Sequence, residues 1–369
     1  MTALPPFALE RFFAHHEFTV EVNACASDVE APAMAEVLGW GSDATREAWD
    51  GLRLGYTEAP GHPRLRAAIA GLYDGLEAED VLVFAGAEEA IFAWAHTELG
   101  AGDHAVVVWP SYQSLHEVAR ATGAEVTLLE LRHEDGWRLD LDALRAALRP
   151  GHTRAVVVNL PHNPTGAHLD PVEWEELVGL VADAGARLFS DEVYRWGEHA
   201  PAQRLEAACE LDPRAASLGV MSKTFALPVL RIGWVASRDR ALVDRLGAFK
   251  DYTTICCSAP SELLAIAALE GLDHVLERTR SIVEPNLARL DDFFARHAGT
   301  LEWVRPLGAP IGFPRVIDRP VDELARELLD TQGVLILPGA IYGHPGEHFR
   351  LGFGRRDLPE ALERMERVL

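Results

Sequence analysis

The sequence predicts an α/β protein: a large domain built on a mostly parallel central sheet, with a smaller α+β domain beside it. Three observations carry this. Short, continuously hydrophobic runs alternate with amphipathic stretches from about residue 60 to 240. Beyond about residue 275 the pattern changes to longer amphipathic stretches. The length, 369 residues, suits one large and one smaller domain at roughly 150 residues per domain.

Residues 104–108, 154–158, 187–190 and 232–236 are the hydrophobic runs. Runs of this kind suit strands buried on both faces by crossover helices. Between the second and third, Asp170 can cap a helix and Pro171 fits its first position. Trp174, Leu177, Val178 and Val181 then recur at helical spacing, and Gly185 can end it. This is βαβ organisation, which places ligands at the carboxyl ends of parallel strands. Further on, helices are expected over 282–297 and 321–329. A strand over 334–337 ends in Pro338-Gly339, and 349–353 reads as another strand. The expected division is 40–274 for the large domain and 275–369 for the small one, with segment 1–39 joining the latter.

Composition limits the function classes. Basic residues number 34 and acidic ones 57, a net charge of −23. That balance argues against nonspecific nucleic-acid or anionic-membrane binding, which need basic faces. No apolar run reaches membrane-spanning length, and residues 1–10 lack the basic-then-apolar pattern of a signal peptide. Cys25, Cys209, Cys256 and Cys257 show no CxxC spacing. A cytoplasmic, metal-free protein is expected, with His15 and His16 on a solvated helix end.

Several of the strands lead into polar residues. Tyr112 follows the first, Asn163 the second, and Asp191 and Tyr194 the third. Lys223 follows residues 216–220, and Arg231 lies eight residues beyond. Gly86-Ala87-Glu88 forms a strand-to-helix turn whose free N–H groups and helix dipole suit a phosphate. The chain holds only two lysines, Lys223 and Lys250. A buried ammonium can lose its proton and a guanidinium cannot. A lysine kept where arginine could do any structural job is a candidate Schiff-base nucleophile.

Together these residues resemble the fold type I pyridoxal-phosphate enzymes of the class I/II aminotransferase family. The motifs are Tyr56-x4-Gly61-x3-Leu65-Arg66, Gly86-Ala87-x-Glu89-Ala90, Pro110-x-Tyr112, Asn163-Pro-Thr-Gly166, Asp191-x-x-Tyr194, Ser222-Lys223, Arg231-x-Gly233 and Arg350-Leu-x-Phe353. Each is weak alone; eight in order are a strong signal. The resemblance implies pyridoxal 5′-phosphate as cofactor, an amino acid and a 2-oxo acid as substrates, and a homodimer. It implies that Lys223 forms the Schiff base and then serves as general base. Asp191 faces the pyridine nitrogen, Asn163 and Tyr194 the phenolate oxygen, and Tyr112 stacks on the ring. Gly86, Ala87, Glu88, Ser222 and Arg231 hold the phosphate, completed by Tyr56 of a partner subunit. Arg350 clamps the substrate α-carboxylate, near Asn163, Ser27 and Asp28.

Two positions depart from the family pattern. Val220 stands where many relatives place a phosphate-binding hydroxyl. Glu88 stands where a neutral polar group suits a dianion better; its backbone N–H can still donate if the carboxylate points away.

The reaction expected first is transamination. The alternative is a cyclase, oxidase or lyase acting on a cationic amino acid such as arginine. It rests on a narrower resemblance to the group containing capreomycidine synthase and the pyridoxal-phosphate arginine oxidases. That resemblance lies in Ser222-Lys-x-Phe-x-Leu-Pro-x-Leu-Arg231 and Lys250-Asp-Tyr-Thr253. Glu17, Asp28 and Glu30 could face a guanidinium. A non-catalytic regulator is disfavoured because residues 1–40 carry no basic helix-turn-helix. The hydrolase elbow and the dinucleotide-binding glycine fingerprint are both missing from the chain.

Overall fold

The computed structural model describes residues 4–369; Met1, Thr2 and Ala3, the start of the stretch read for a signal peptide, lie outside the described residues. Its centre is a seven-stranded sheet. In order across the sheet the strands are Val81–Phe84, Gly233–Ala236, Ala216–Val220, Arg187–Asp191, Thr153–Asn159, His104–Trp109 and Glu125–Glu130. Five adjacent strands, from Ala216–Val220 to Glu125–Glu130, are parallel.

The apolar runs do bury both faces. Along Thr153–Asn159, Ala155 and Val157 pack on one side, and Val156 and Val158 on the other, the two-residue period of a strand. Helices Ala87–Glu98, Gln113–Ala121 and Arg240–Lys250 cover the first side. Helices Leu141–Ala147 and Pro171–Asp183 cover the second. In the latter, Asp170 accepts from the Glu173 N–H and the Glu173 carboxylate accepts from the Asp170 N–H; Trp174, Leu177, Val178 and Val181 are buried, as their spacing predicts.

The sheet is mostly, not wholly, parallel: the run 232–236 forms a strand, Gly233–Ala236, that is antiparallel to both of its neighbours. A strand buried on both faces reads alike in either direction, so hydrophobicity alone does not show the reversal.

Beyond the sheet, helix Leu272–Arg296 starts ten residues earlier than expected, because Val275, Leu276 and Thr279 already lie on its buried face. Helix Val321–Gln332 runs one turn past residue 329 and stops at Gly333, whose φ is +64°. The expected strand 334–337 divides at Ile336. Val334–Leu335 pairs in parallel with Val22–Asn23, while Leu337–Pro338 pairs with Phe349–Gly352. We keep 40–274 and 275–369 as a proposed division. The pairing of Val22–Asn23 with Val334–Leu335 supports assigning segment 1–39 to the second part.

Candidate active site

A cavity of about 820 Å³ opens at the carboxyl ends of the parallel strands. Asp191 ends Arg187–Asp191, Asn159 ends Thr153–Asn159, and Lys223 follows Ala216–Val220 by three residues. The reversed strand contributes from its other end. Gly233 pairs with both Phe84 and Val220, so Arg231, two residues before it, arrives at the same edge. Backbone contact there is tight. A Cβ on Gly233 would sit 2.6 Å from the Gly86 carbonyl carbon, and one on Gly86 would collide with the Arg231 guanidinium. Gly86, with φ +90°, precedes the first turn of helix Ala87–Glu98, a conformation that side chains disfavour.

Lys223 is held in the cavity by one hydrogen bond, from Nζ to Ser27 Oγ at 2.8 Å. Burial lowers its pKa; Asp28 opposes that shift and Arg350 reinforces it. Burial pushes the Asp191 carboxyl the other way, up to about 7, against the Val193 N–H and the Lys223 charge. The Val193 N–H donates to Asp191 Oδ1 at 3.2 Å. Tyr194 is 1% exposed, and its hydroxyl makes no hydrogen bond among the described residues. A buried donor without an acceptor is costly unless something else occupies the site.

Arg350, in strand Phe349–Gly352, is 1% exposed. Its Nε and Nη2 donate to the Cys25 carbonyl at 3.0 and 2.8 Å. Its Nη1 donates to Tyr342 Oη at 2.5 Å and to Asn163 Oδ1 at 3.3 Å. Neutral oxygens therefore fix this guanidinium, and among the described residues it has no carboxylate partner. A buried cation so arranged is prepared for an incoming anion. Asn159 braces the region: its Nδ2 donates to the Asp191 carbonyl and its Oδ1 accepts from the Asn163 N–H.

Ser27, Asp28, Ala87, Glu88, Tyr112, Asn163, Asp191, Tyr194, Ser222, Lys223, Arg231 and Arg350 all line this cavity. Tyr56 does not, and is 93% exposed. Val220 lines the cavity without a hydroxyl, and Ser222 Oγ accepts from Arg231 Nη1 at 3.4 Å. Glu88 lines the cavity, with its carboxyl beside Ser114, a residue outside the lining. One oxygen accepts from Ser114 Oγ, the other is buried without a partner, and burial raises its pKa. Burial thus favours the neutral acid at the position where the sequence raised a like-charge problem.

The expected carboxylates for a cationic side chain need revision. Glu30 is paired with Arg356 and lies outside the cavity. Asp28 is paired with Arg355 at 3.2 Å. Glu17 lines the cavity, and its carboxylate has no hydrogen bond or ion pair among the described residues. Burial and then Asp28 raise its pKa. Glu10, not singled out from the sequence, also lines the cavity and accepts from Tyr112 Oη at 3.1 Å.

A family model described as aminotransferase class I and II matches residues 32–365. The chain belongs to that family. Capreomycidine synthase from Streptomyces vinaceus is 34% identical over 98% of this chain and 92% of its own. The arginine–pyruvate transaminase of Pseudomonas aeruginosa is 32% identical over 84% of this chain and 81% of its own. Among solved structures, a PLP-dependent aminotransferase from Streptococcus suis superposes with a TM-score of 0.93 at 31% identity, covering 99% of this chain and 98% of that one. The PLP-dependent cyclase OrfR gives 0.91 at 30% identity, covering 100% of this chain and 98% of that one.

Membership in this aminotransferase family fixes the architecture as fold type I and the cofactor as pyridoxal 5′-phosphate. The residues present fit that group. They include a half-buried lysine, a buried carboxyl, a phenol lacking an acceptor, and a glycine turn pressed against an arginine at a helix start. No helix among the described residues is long and apolar enough to cross a membrane.

Proposed function

We propose that this chain is a homodimeric, cytoplasmic pyridoxal-phosphate-dependent aminotransferase. It moves an amino group between an L-amino acid and a 2-oxo acid through a Lys223 Schiff base. One observation carries the reading: a half-buried lysine lowered in pKa shares a cavity with Asp191 and with an arginine lacking a carboxylate partner. The first can hold the cofactor and move a proton, the second can hold a ring nitrogen protonated, and the third can seat an α-carboxylate.

The cofactor, when bound, supplies an electron sink for negative charge at the substrate α-carbon. Asp191 would face its ring nitrogen, and the Tyr194 hydroxyl and Asn163 Nδ2 would donate to its phenolate oxygen. The Ala87 and Glu88 N–H groups and Arg231 would hold the phosphate. Tyr112 would cover the ring. Arg350 orients the substrate through its carboxylate, giving direction as well as attraction. Lys223 Nζ, able to be neutral in this buried setting, takes the proton from the substrate α-carbon and later returns one. Leu9, Phe13 and Ile91 form apolar parts of the wall, which strengthens the charge interactions inside.

Glu17 and Glu10 at the same cavity favour an amino donor with a cationic side chain, arginine being the natural candidate. The named activity of the arginine–pyruvate transaminase relative supports this choice. The capreomycidine synthase relative and the cyclase OrfR support a second reading, a cyclase acting on such an amino acid.

Lys223→Ala tests the reading. Turnover should fall by about 10²–10⁴-fold or more, and borohydride should no longer fix the cofactor to the chain. Retained activity would remove Lys223 from the mechanism.

A further inference from the structure

We propose that Tyr342 is a positioning residue: it fixes the Asn163 amide with its oxygen toward Arg350 and its nitrogen toward the cofactor. This rests on the reading of the cavity proposed above. Tyr342 closes the short turn Gly339–Tyr342, directly after strand Leu337–Pro338. That strand pairs with the one carrying Arg350, Leu337 lying opposite it. The phenol ring is anchored by an edge-on contact with Phe313, with centroids 6.0 Å apart.

The hydroxyl sits between two groups of opposite need. Arg350 Nη1 is only a donor, so the tyrosine oxygen accepts from it at 2.5 Å. The single hydroxyl proton is then committed to Asn163 Oδ1 at 2.9 Å. Burial raises the Tyr342 pKa, which keeps that proton in place.

The consequence falls on Asn163. The two ends of an amide have the same shape, and only the network decides which is which. Here Oδ1 faces two donors, Tyr342 Oη and Arg350 Nη1. Turning the amide over would set its NH₂ against Arg350 Nη1, which can only donate, and would lose the bond from Tyr342 Oη. Nδ2 is therefore held on the opposite side, with no protein acceptor among the described residues. It is available to donate to an anionic oxygen in the cavity. A phenylalanine at 342 would pack equally well and give none of this.

The test is a spectroscopic pH titration of holoenzyme carrying Tyr342→Phe, Asn163→Ala or both. Phenylalanine keeps the contact with Phe313, so the fold should persist. In Tyr342→Phe only the longer bond from Arg350 Nη1, at 3.3 Å, still orients the amide, so Nδ2 is less firmly held as a donor. The phenolate oxygen then keeps more of its charge and holds the proton on the Lys223-linked nitrogen more tightly. The spectroscopic pKa should rise by about half a unit to one unit. The dissociation constant for 2-methylarginine, which has no α-proton to lose, should rise about fivefold through the loosened Arg350. In the Asn163→Ala background, Tyr342→Phe should leave the spectroscopic pKa within about 0.2 units, since its route of action is gone. An unchanged pKa in the single variant, or equal shifts in both backgrounds, would overturn the positioning role while leaving the aminotransferase reading intact. Wild-type protein lacking any band that Lys223→Ala removes would overturn both.

Discussion

Half-buried Lys223 and buried Asp191 are ionisable groups that the same cavity drives toward neutrality from opposite sides. For Asp191 this has a measurable sign. Its ordinary value of 3.8 is raised to about 7 in the folded chain. Between those values the native state holds a proton that the unfolded state has released. The stability it supports is complete below about pH 4 and is lost as pH rises through 7. In cofactor-free protein, Asp191→Asn should therefore be more stabilising at pH 8 than at pH 5, by roughly 3 kcal/mol. Urea unfolding at both pH values checks this, and an equal effect at the two would contradict it. These residues were legible because each sits in a short motif after a strand. Tyr342, Asn159 and Glu10 were not. Tyr342 meets its partner Asn163 across 179 residues, and no local spacing encodes such a contact. Glu30 shows the converse: sequence proximity placed it near the substrate loop, and Arg356 removes it.

The turn from Val81–Phe84 into helix Ala87–Glu98 depends on a reversed strand that the sequence left ambiguous. Gly233–Ala236 runs against its neighbours, which is why Arg231 enters at the carboxyl edge and lies against Gly86. Continuous apolar runs identified the buried strands, but direction is fixed by pairing rather than by hydrophobicity. The division of 334–337 between two partners was hidden for the same reason. Caps were more readable: the Asp170–Glu173 pair acts within three residues, where local chemistry decides. The glycine turn makes its own prediction. Gly86→Ala adds a Cβ at φ +90° and displaces the Arg231 guanidinium, a strain of about 1–3 kcal/mol. The dissociation constant for pyridoxal phosphate should rise by about 10–100-fold, measured by absorbance titration. Wild-type affinity in this variant would mean that the phosphate lies elsewhere.

The α/β class and its mostly parallel sheet were legible in the whole chain, because strand and helix periods alternate over a long stretch. Assembly is a matter of proposal. Leu54, Tyr56 and Tyr252 are each at least 85% exposed, and Tyr56 is outside the cavity its motif implies it should complete. Both facts are met if a second copy covers this face. Sedimentation should give twice the chain mass, and Tyr56→Phe should weaken phosphate binding about 5–10-fold; a monomer with full activity would contradict the dimer. What the molecule does to its substrate is tested by anaerobic addition of single amino acids, arginine and alanine among them, to the holoenzyme. The cofactor is then released with acid and quantified. Aminotransfer predicts one equivalent each of pyridoxamine phosphate and 2-oxo acid per site, with arginine more effective than alanine. Consumption of arginine with the cofactor recovered entirely as pyridoxal phosphate would contradict it and assign the cavity to a lyase-type reaction that needs no oxidant, whereas consumption of arginine only after oxygen is admitted would assign it to oxidation.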